Sequence, residues 1–367
     1  MKSSHIGVAF LMFFLLIPIT KAVTSITDCT DLTSNGTYYV LTTDLINKTG
    51  LYESDKDRYS CIRLHADNII FDCQNHLVSG LCEYGHHGIR LSGSNDTLKN
   101  CFLSNWDVAL VNDWYASYNL MTHITILSSD SNIISGGDFA IFDNIDVRNN
   151  WVNCGGYGYS VIDIYATYPP PVGSQVIVRN SIFNLRHPNA LFWFTGSACS
   201  IYGNVFNVQT LWIDTYLPPN YLSPILFYNN LVNVSSLSLT NNISLNTTRQ
   251  TGSRVYSSGI NIGGNYWTNS SGDGYSDTCS DTVGDGFCDS PFIIDGSHID
   301  YLPYSTHYSP PPVETGVCRV CEPSTIDNTG LKLLCLLGNL IFCNTILFAI
   351  ILIVILGYLG YRKLKRL

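Results

Sequence analysis

An aspartate-rich segment near the C-terminal end is the sharpest candidate for chemistry. Gly284 and Gly286 lie in it, among aspartates that recur at every fourth position: Asp277, Asp281, Asp285 and Asp289. Calcium takes several hard oxygen ligands from a loop that turns tightly, and this segment offers both. Its spacing differs from that of an EF-hand, whose ligands alternate more closely and end on a glutamate. We predict a calcium site here; the alternative is an acidic, solvated turn held only by a disulfide between Cys279 and Cys288.

The second candidate is a column of outward side chains at one position of the sequence repeat described below. Its members are Lys99, Arg148, Arg179, Tyr202 and Tyr228. Strands of stacked repeats lie about 4.8 Å apart, so these side chains are expected to form a basic strip followed by an aromatic one. Tyrosine rings pack on sugar faces, and arginine binds carboxylates through two hydrogen bonds. The column predicts a site for an acidic glycan, with an ordinary exposed β face as the alternative.

Catalytic carboxylates are the third candidate. Glycoside hydrolysis needs two carboxylates held several ångströms apart, one as the acid and the other as the base or nucleophile. The aspartates considered to face outward are Asp146, Asp163 and Asp214, and no two of them are predicted to share a position in neighbouring repeats. Arg148 and Arg179 loosely resemble the arginine or lysine base that calcium-dependent polyuronate lyases use. The sequence leaves enzymatic activity uncertain and favours a non-catalytic protein.

One repeat must position these residues. A short alternating β run leads into an asparagine-rich corner, an apolar residue and a second corner, and this unit recurs at intervals of roughly 23 to 35 residues. The copies lie at residues 69–73, 97–101, 149–153, 180–184, 203–207, 229–233 and 264–267, with a degenerate copy near 124–127. Alternating β-branched and aromatic residues with frequent glycine and asparagine indicate strands. The pattern predicts an all-β fold, a right-handed parallel β-helix; an antiparallel β-sandwich is the alternative.

Two segments resemble the NosD-like family of parallel β-helix proteins, a group also described as carbohydrate-binding proteins and sugar hydrolases (CASH). Residues 61–64 and 66–76, followed by Gly80, are similar to the entry repeats of that family. Residues 264–267, which run into the aspartate-rich loop, are similar to its archaeal cell-surface members. The resemblance implies the right-handed parallel β-helix across residues 26–304. It implies no single activity, since this scaffold carries lyases, hydrolases, adhesins and inert surface proteins.

Copper, which the name of that family raises, needs methionine, histidine or cysteine ligands. Beyond the first 22 residues, Met121 is the only methionine. The side chains of the adjacent pair His86 and His87 are expected to point to opposite faces of a strand. His76 occupies a position that the family commonly fills with histidine, and we interpret it as structural. No copper site is expected.

The two ends of the chain predict export and anchoring. Residues 1–22 carry Lys2, an apolar run and small residues before the end, which is typical of a secretory signal peptide. Residues 333–361 are almost wholly apolar and precede a basic tail at 362–367, which predicts one transmembrane helix, a cytoplasmic C-terminus and an extracellular body. The body divides into an N-terminal cap (23–60), the β-helix (61–262), the aspartate-rich module (263–308) and a stalk rich in proline and cysteine (309–332).

The cysteines are consistent with an oxidising, extracellular compartment. Eleven of them fall between the two end segments, an odd number that leaves one thiol free or available for a bridge to another chain. Cys29 with Cys61 could staple the cap to the first repeat. Cys73 and Cys101 share a repeat position, as a disulfide or as stacked thiols. Cys318 and Cys321 form a local or an intermolecular bridge.

Sequons for N-glycosylation also support an exported surface. They lie at Asn35, Asn47, Asn95, Asn242, Asn246 and Asn269. Asn233 lies in a sequon too, but its match to Asn153, Asn184 and Asn207 places it in an internal row of amides. We therefore expect Asn233 to be unmodified.

The formal net charge of -9 gives no basic surface for nucleic acid. We expect a membrane-anchored, non-catalytic surface protein that binds glycans or forms part of an envelope coat. The first alternative is a membrane-tethered polysaccharide hydrolase or lyase. The second is an adhesin that binds another protein.

Overall fold

Parallel β-strands make up almost all of the regular structure. The structure, a computed structural model, describes residues 23–53, 58–148, 154, 160–165, 175–185, 189–195, 198–215, 225–240 and 243–308. The predicted signal peptide, stalk, transmembrane segment and basic tail lie outside these residues and stay predictions. Among the residues described, no helix is long and apolar enough to cross a membrane.

One sheet of 22 strands contains three parallel ladders, in which each strand pairs with the equivalent strand of the next repeat. Five long strands run from one ladder into another and so belong to two or three of them. These are β10 (Thr97–Asn112), β11 (Leu120–Ser135), β12 (Ile141–Arg148), β18 (Val205–Thr215) and β20 (Leu231–Leu239).

Ladder 1 begins each repeat and also contains the first parts of β10, β11 and β12. Its other strands are β1 (Val23–Ile26), β3 (Tyr38–Leu41), β7 (Ile70–Asp72), β14 (Gln175–Arg179), β17 (Ala198–Tyr202), β19 (Ile225–Tyr228) and β21 (Ile243–Ser244). Ladder 2 follows it and takes in parts of all five long strands. Its other strands are β4 (Leu45–Lys48), β8 (Leu77–Gly80), β15 (Ile182–Asn184) and β24 (Tyr266–Thr268).

Ladder 3 closes each repeat and includes the last parts of β10, β11, β18 and β20. Its other strands are β2 (Thr30–Leu32), β6 (Arg58–Leu64), β9 (His86–Leu91), β13 (Ser160–Tyr165) and β16 (Asn189–Thr195). Outside the ladders lie β5 (Leu51–Glu53), β22 (Gln250–Thr251), β23 (Asn261–Ile262), the helix α1 (Tyr275–Thr278), β25 (Phe292–Ile293) and β26 (Ile299–Asp300).

The all-β class with parallel strands is confirmed. Within the described ranges, antiparallel strand pairs are confined to β5 with β6, β22 with β23, and β25 with β26. The antiparallel sandwich is therefore wrong. The core has the composition that stacked repeats require, since each inward side chain packs on the equivalent one of its neighbours. Phe206 is fully buried between its register partners Phe183, whose ring lies 5.2 Å away, and Val232.

Left-handed residues form the corner between ladders 1 and 2. They have φ between 52° and 71° and are Asn100, His123, Asn144, Asn180, Gly203 and Asn229. Asparagine and glycine tolerate this backbone better than other residues. The extra copy expected near residues 124–127 is present as a complete repeat, built on β11 with His123 at its corner. The corner placed at residues 149–150 is wrong, because it lies at Asn144.

A buried row of amides lines the inside of this corner. The inner amide row consists of Asn204, Asn230 and Asn265, each with no exposed surface. The side-chain oxygen of each residue accepts a hydrogen bond from a backbone N–H of the previous repeat: Asn230 from Asn204 at 3.0 Å and Asn265 from Asn230 at 3.1 Å. Asp300 continues the row, because it accepts a hydrogen bond from the Asn265 backbone at 2.8 Å. The row thus links the C-terminal module to the last repeat.

Four disulfides connect the described residues: Cys29–Cys61, Cys73–Cys101, Cys82–Cys154 and Cys279–Cys288. The fourth pairing agrees with the predicted clamp of the aspartate-rich loop, the first agrees with the staple considered for the cap, and the second decides for a disulfide over stacked thiols. The third was not foreseen, because a separation of 72 residues leaves no local signal. Cys199 is a buried free thiol, and its burial raises its pKa. A bridge between chains would therefore have to come from a cysteine outside the described residues, where Cys318 and Cys321 lie.

Candidate functional site

Hydrogen bonds inside the protein engage the four carboxylates of the aspartate-rich loop. Asp277 accepts bonds from the Tyr266 hydroxyl at 2.6 Å and the Gly274 N–H at 2.8 Å. The N–H groups of Gly284 and Gly286 donate to the two oxygens of Asp281, at 2.7 and 2.8 Å. The loop closes around Asp281 because Gly284 and Gly286 both adopt positive φ, 73° and 82°.

The other two loop carboxylates are engaged in the same way. Asp285 accepts a charge-assisted bond from Arg249 at 2.7 Å, and Asp289 accepts the N–H of Thr282 at 3.1 Å. In the part of the chain that the structure describes, no three histidine, cysteine or acidic side chains come together as a metal-binding group. Calcium binding by this loop stays a prediction.

Arg254 fastens the loop to the end of the sheet. Its guanidinium lies 4.4 Å from the ring centre of Phe287 and 4.2 Å from that of Tyr304. It also donates to the Gly286 carbonyl at 2.5 Å. Burial lowers the pKa of Arg254. Since arginine normally titrates far above neutrality, it stays charged, and these contacts give the module a fixed structure.

Strand register places four of the five predicted column residues together. Lys99, Arg179, Tyr202 and Tyr228 occupy equivalent positions of ladder 1. Arg148 does not, because Asp143 pairs with Arg179 and Arg148 pairs with Asn184 in ladder 2. This correction follows from the corner at Asn144, five residues before the expected one.

The cations of this column are neutralised within the protein. Arg179 forms an ion pair with Asp143 at 3.0 Å, and Lys99 forms one with Asp72 at 3.2 Å. The rings of Tyr202 and Tyr228 stack on each other at 5.2 Å. Each positive charge already has a carboxylate partner, so the column has little to offer an acidic glycan. Glycan binding by the column itself stays a prediction.

Strand register also brings together residues that lie far apart in the sequence. In ladder 3, Asp163 pairs with Trp193, and Trp193 pairs with Asp214. The expectation that no two candidate aspartates share a position in neighbouring repeats is correct. Asp163 and Asp214 do share a position, but their repeats are two steps apart. Their strands are separated by about 10 Å, two steps of strand spacing. Asp146, the third candidate, forms an ion pair with Arg148 at 2.6 Å.

Two exposed tryptophans flank these carboxylates. Trp193 and Trp212 expose 36% and 44% of their surface. Trp212 lies two residues before Asp214 on β18, so both side chains stand on the same side of the sheet. We call Trp193, Trp212, Asp163 and Asp214 the tryptophan face. This face is not among the predicted sites, although the alternation of Trp212 and Asp214 with the buried Leu211 and Ile213 is a strand signal that could have revealed it.

A groove lined by amides and hydroxyls follows the corner of the same strands. Its volume is about 230 Å³, and the outer amide row of Asn184, Asn207 and Asn233 forms part of its wall with Gln209. The Asn207 amide donates to Asn184 at 3.3 Å, and the Asn233 amide donates to Asn207 at 3.0 Å. This row lies on the surface, so the internal position expected for Asn233 is wrong. The internal row is formed by other asparagines: Asn204 and Asn230 lie three residues before Asn207 and Asn233.

A second acidic pair lies in ladder 3. The pairings of Trp106 with Ser129 and of Val108 with Ser131 put Asp107 beside Asp130. Burial, together with the charge of Asp130, raises the pKa of Asp107. Asp130 exposes only 2% of its surface, so a polymer cannot reach both carboxylates of this pair. This pair is therefore not the glycan site.

The histidines that the sequence singled out have structural surroundings. His76 hydrogen-bonds Asp44 through Nδ1 at 2.9 Å. His86 stacks on Tyr59 with ring centres 4.4 Å apart. His87 is buried, and burial followed by the charges of Arg90 and Arg58 lowers its pKa to about 3.

Comparisons with known proteins give no match: no family model, curated protein or solved structure is similar to this chain.

Proposed function

We propose that this chain is a right-handed parallel β-helix protein of the NosD-like type, displayed outside the cell, that binds neutral glycans on its tryptophan face without cleaving them. The three parallel ladders and their left-handed corners support the β-helix. The predicted signal peptide and C-terminal anchor, with four disulfides among the described residues, support the extracellular location.

The observation that carries the proposal is the pair of exposed tryptophans on adjacent strands. Leu191 pairs with Trp212 and Trp193 pairs with Asp214, so the two indoles are diagonal neighbours, about 7 Å apart at their backbones. Exposure of large aromatic rings to water is unfavourable, so such rings on a surface are typical of binding sites. A flat polysaccharide could stack sugar rings on both indoles while Asp214 accepts hydrogen bonds from the hydroxyls.

Charge favours neutral sugars. Asp163 and Asp214 share the register of Trp193 in ladder 3, and the arginines of the other two ladders, Arg148 and Arg179, are paired with Asp146 and Asp143. An acidic polymer would therefore meet repulsion without compensating contacts. The amide groove adds neutral donors and acceptors, since Gln209 lies three residues before Trp212 on β18.

Binding to a panel of neutral and acidic polysaccharides, measured by affinity electrophoresis of the ectodomain, tests the proposal. Trp193→Ala and Trp212→Ala should each weaken binding to the neutral ligand by about tenfold, the value of one aromatic contact of roughly 1.4 kcal/mol. Trp114→Ala is the matched control, because Trp114 is 50% exposed at a different corner. Unchanged binding in the Trp193/Trp212 double variant would refute the site. Tyr202→Ala with Tyr228→Ala tests the column separately.

Hydrolysis is the second candidate function. The register that puts Asp163 and Asp214 on either side of Trp193 favours it, although Asp163 exposes only 8% of its surface. Inverting glycosidases hold their carboxylates about 6.5 to 9.5 Å apart, and two strand steps come close to that range. A sugar stacked on Trp193 would lie between the two acids. Release of reducing ends that is lost in Asp214→Asn, with binding retained, would replace the binding proposal by a hydrolase.

A further inference from the structure

A second set of left-handed residues forms the corner between ladder 3 and the next turn of ladder 1. Each precedes a ladder 1 strand by two positions, and each has φ between 55° and 70°: Gly36, Asn68, Asn95, Tyr118 and Phe139. Their backbones are stacked repeat on repeat, since the N–H of Asn95 donates to Ser117 and that of Tyr118 donates to Asp138. From the first repeat onward, this corner position is occupied by one glycine and two asparagines and then by two aromatic residues.

The two aromatic residues are unusual at this position. A bulky side chain in the left-handed region costs energy that glycine or asparagine avoids, so its presence indicates a gain elsewhere. The rings of Tyr118 and Phe139 lie 4.6 Å apart and only 3° from parallel. Tyr118 nevertheless exposes 58% of its surface.

The exposed face of Tyr118 points toward Asn95. The ring spacing of Tyr118 and Phe139 matches the strand spacing of about 4.8 Å, so both ring planes lie across the direction in which repeats stack. Phe139 covers one face of Tyr118. The other face is directed to the preceding repeat, where Asn95 occupies the same corner position.

Asn95 begins the sequon Asn95-Asp96-Thr97 and is exposed. Its amide also differs from that of Asn233, whose nitrogen is engaged by Asn207. Among the described residues no side-chain hydrogen bond involves Asn95. The nitrogen that would carry a sugar is therefore accessible and one strand step from an uncovered aromatic face.

We propose that Asn95 is N-glycosylated and that the first sugar ring of the glycan packs on Tyr118 as the third member of the Tyr118–Phe139 stack. In the attachment step, Nδ2 of Asn95 displaces a lipid-linked pyrophosphate from C1 of the sugar. The N–C1 bond forms, the C1–O bond breaks, and the amide nitrogen loses one proton as the pyrophosphate leaves. The apolar face of a sugar ring against an aromatic face removes both from water. The inference depends on the extracellular location proposed above.

The test uses the full chain expressed in a eukaryotic secretory host, with its glycans trimmed to one sugar. Thr97→Val removes the sequon and keeps Asn95 at its corner. Loss of the glycan should lower the melting temperature by about 2 °C when Tyr118 is present. It should have no effect in a Tyr118→Asn background, where the corner carries the residue it has in the two preceding repeats. Asn47→Gln, which removes the sequon in β4, is the control and should give the same shift in both backgrounds.

Mass spectrometry of the Asn95 peptide gives the second readout. The proposal requires a sugar at this position, and a bare Asn95 in the unmodified sequence overturns it. Equal effects of Thr97→Val with and without Tyr118 also overturn it, because the glycan then gains nothing from the stack. If Asn35 and Asn47 are bare as well, the extracellular location fails together with this inference; if they carry glycans, only this inference fails.

Discussion

Replacing Asn230 by alanine tests the inner amide row, on which the corner of the last repeats depends. The Asn230 amide donates to the carbonyl of Ile201 and to the side-chain oxygen of Asn265, both at 3.0 Å. Its oxygen accepts the backbone N–H of Asn204 at 3.0 Å. Asn230 has no exposed surface, so water does not replace these bonds.

The expected loss follows from the groups that remain. Asn230→Ala leaves the N–H of Asn204 buried without its acceptor and also removes the side-chain bonds to the Ile201 carbonyl and to Asn265. An unsatisfied buried group costs about 1 to 3 kcal/mol and each lost bond about 1 kcal/mol, so the free energy of unfolding should fall by roughly 2 to 6 kcal/mol. Asn230→Leu, which retains the volume but not the hydrogen bonds, should cause a loss in the same range.

Urea unfolding of the ectodomain, followed by far-ultraviolet circular dichroism, measures the loss. Asn207→Ala is the matched control, because Asn207 belongs to the exposed outer amide row and its loss should cost about 0.5 kcal/mol or less. If Asn230→Ala and Asn207→Ala reduce stability equally, and by less than about 1 kcal/mol, then the inner row does not stabilise the corner and the reasoning is wrong.

Three further predictions concern pH, metal and covalent links. Burial raises the pKa of Asp96 to about 7, from 3.8 when unfolded. The unfolded chain therefore releases this proton at lower pH than the folded protein, and the melting temperature should fall as pH rises from about 4 to 7. Asp96→Asn should flatten this decline. An unchanged decline in the variant would contradict the raised pKa of Asp96. Calcium should raise the melting temperature and protease resistance of the ectodomain relative to chelator, and Asp281→Asn should abolish the difference; equal values with calcium and chelator would exclude a metal site. Replacing Cys82 and Cys154 by serine should cost about 4 kcal/mol in unfolding free energy, because the bridge closes a long loop; an unchanged urea midpoint would mean that this bridge is absent in solution.

Local patterns in the sequence were sufficient for the class of fold and for most of its covalent links. Alternating β-branched residues, with asparagine and glycine at the corners, predicted strands that pair in parallel. Cys73 and Cys101 occupy one repeat position, so their proximity could be predicted from the repeat, and the structure decides for a disulfide over stacked thiols. Cys279 and Cys288 are separated by only nine residues, which makes their link equally direct.

Register was the property that the sequence left open. Asn144 and Asn149 are both reasonable corners, and the choice between them moves Arg148 from one ladder to another. Pairing with a strand 36 residues away decides it, because only that alignment puts Phe142 on Val178 in the core.

The same long-range pairing formed the sites. Asp163, Trp193 and Asp214 are far apart in sequence and become neighbours only through the order in which strands stack. Whether an asparagine row is buried or exposed depends on which side of the corner faces the core, as Asn204 and Asn207 show, three residues apart. The sequence by itself determined what each repeat is made of, since strand and corner preferences are local. The tertiary structure decided which side chains meet, because the pairing of whole repeats sets the register of each strand.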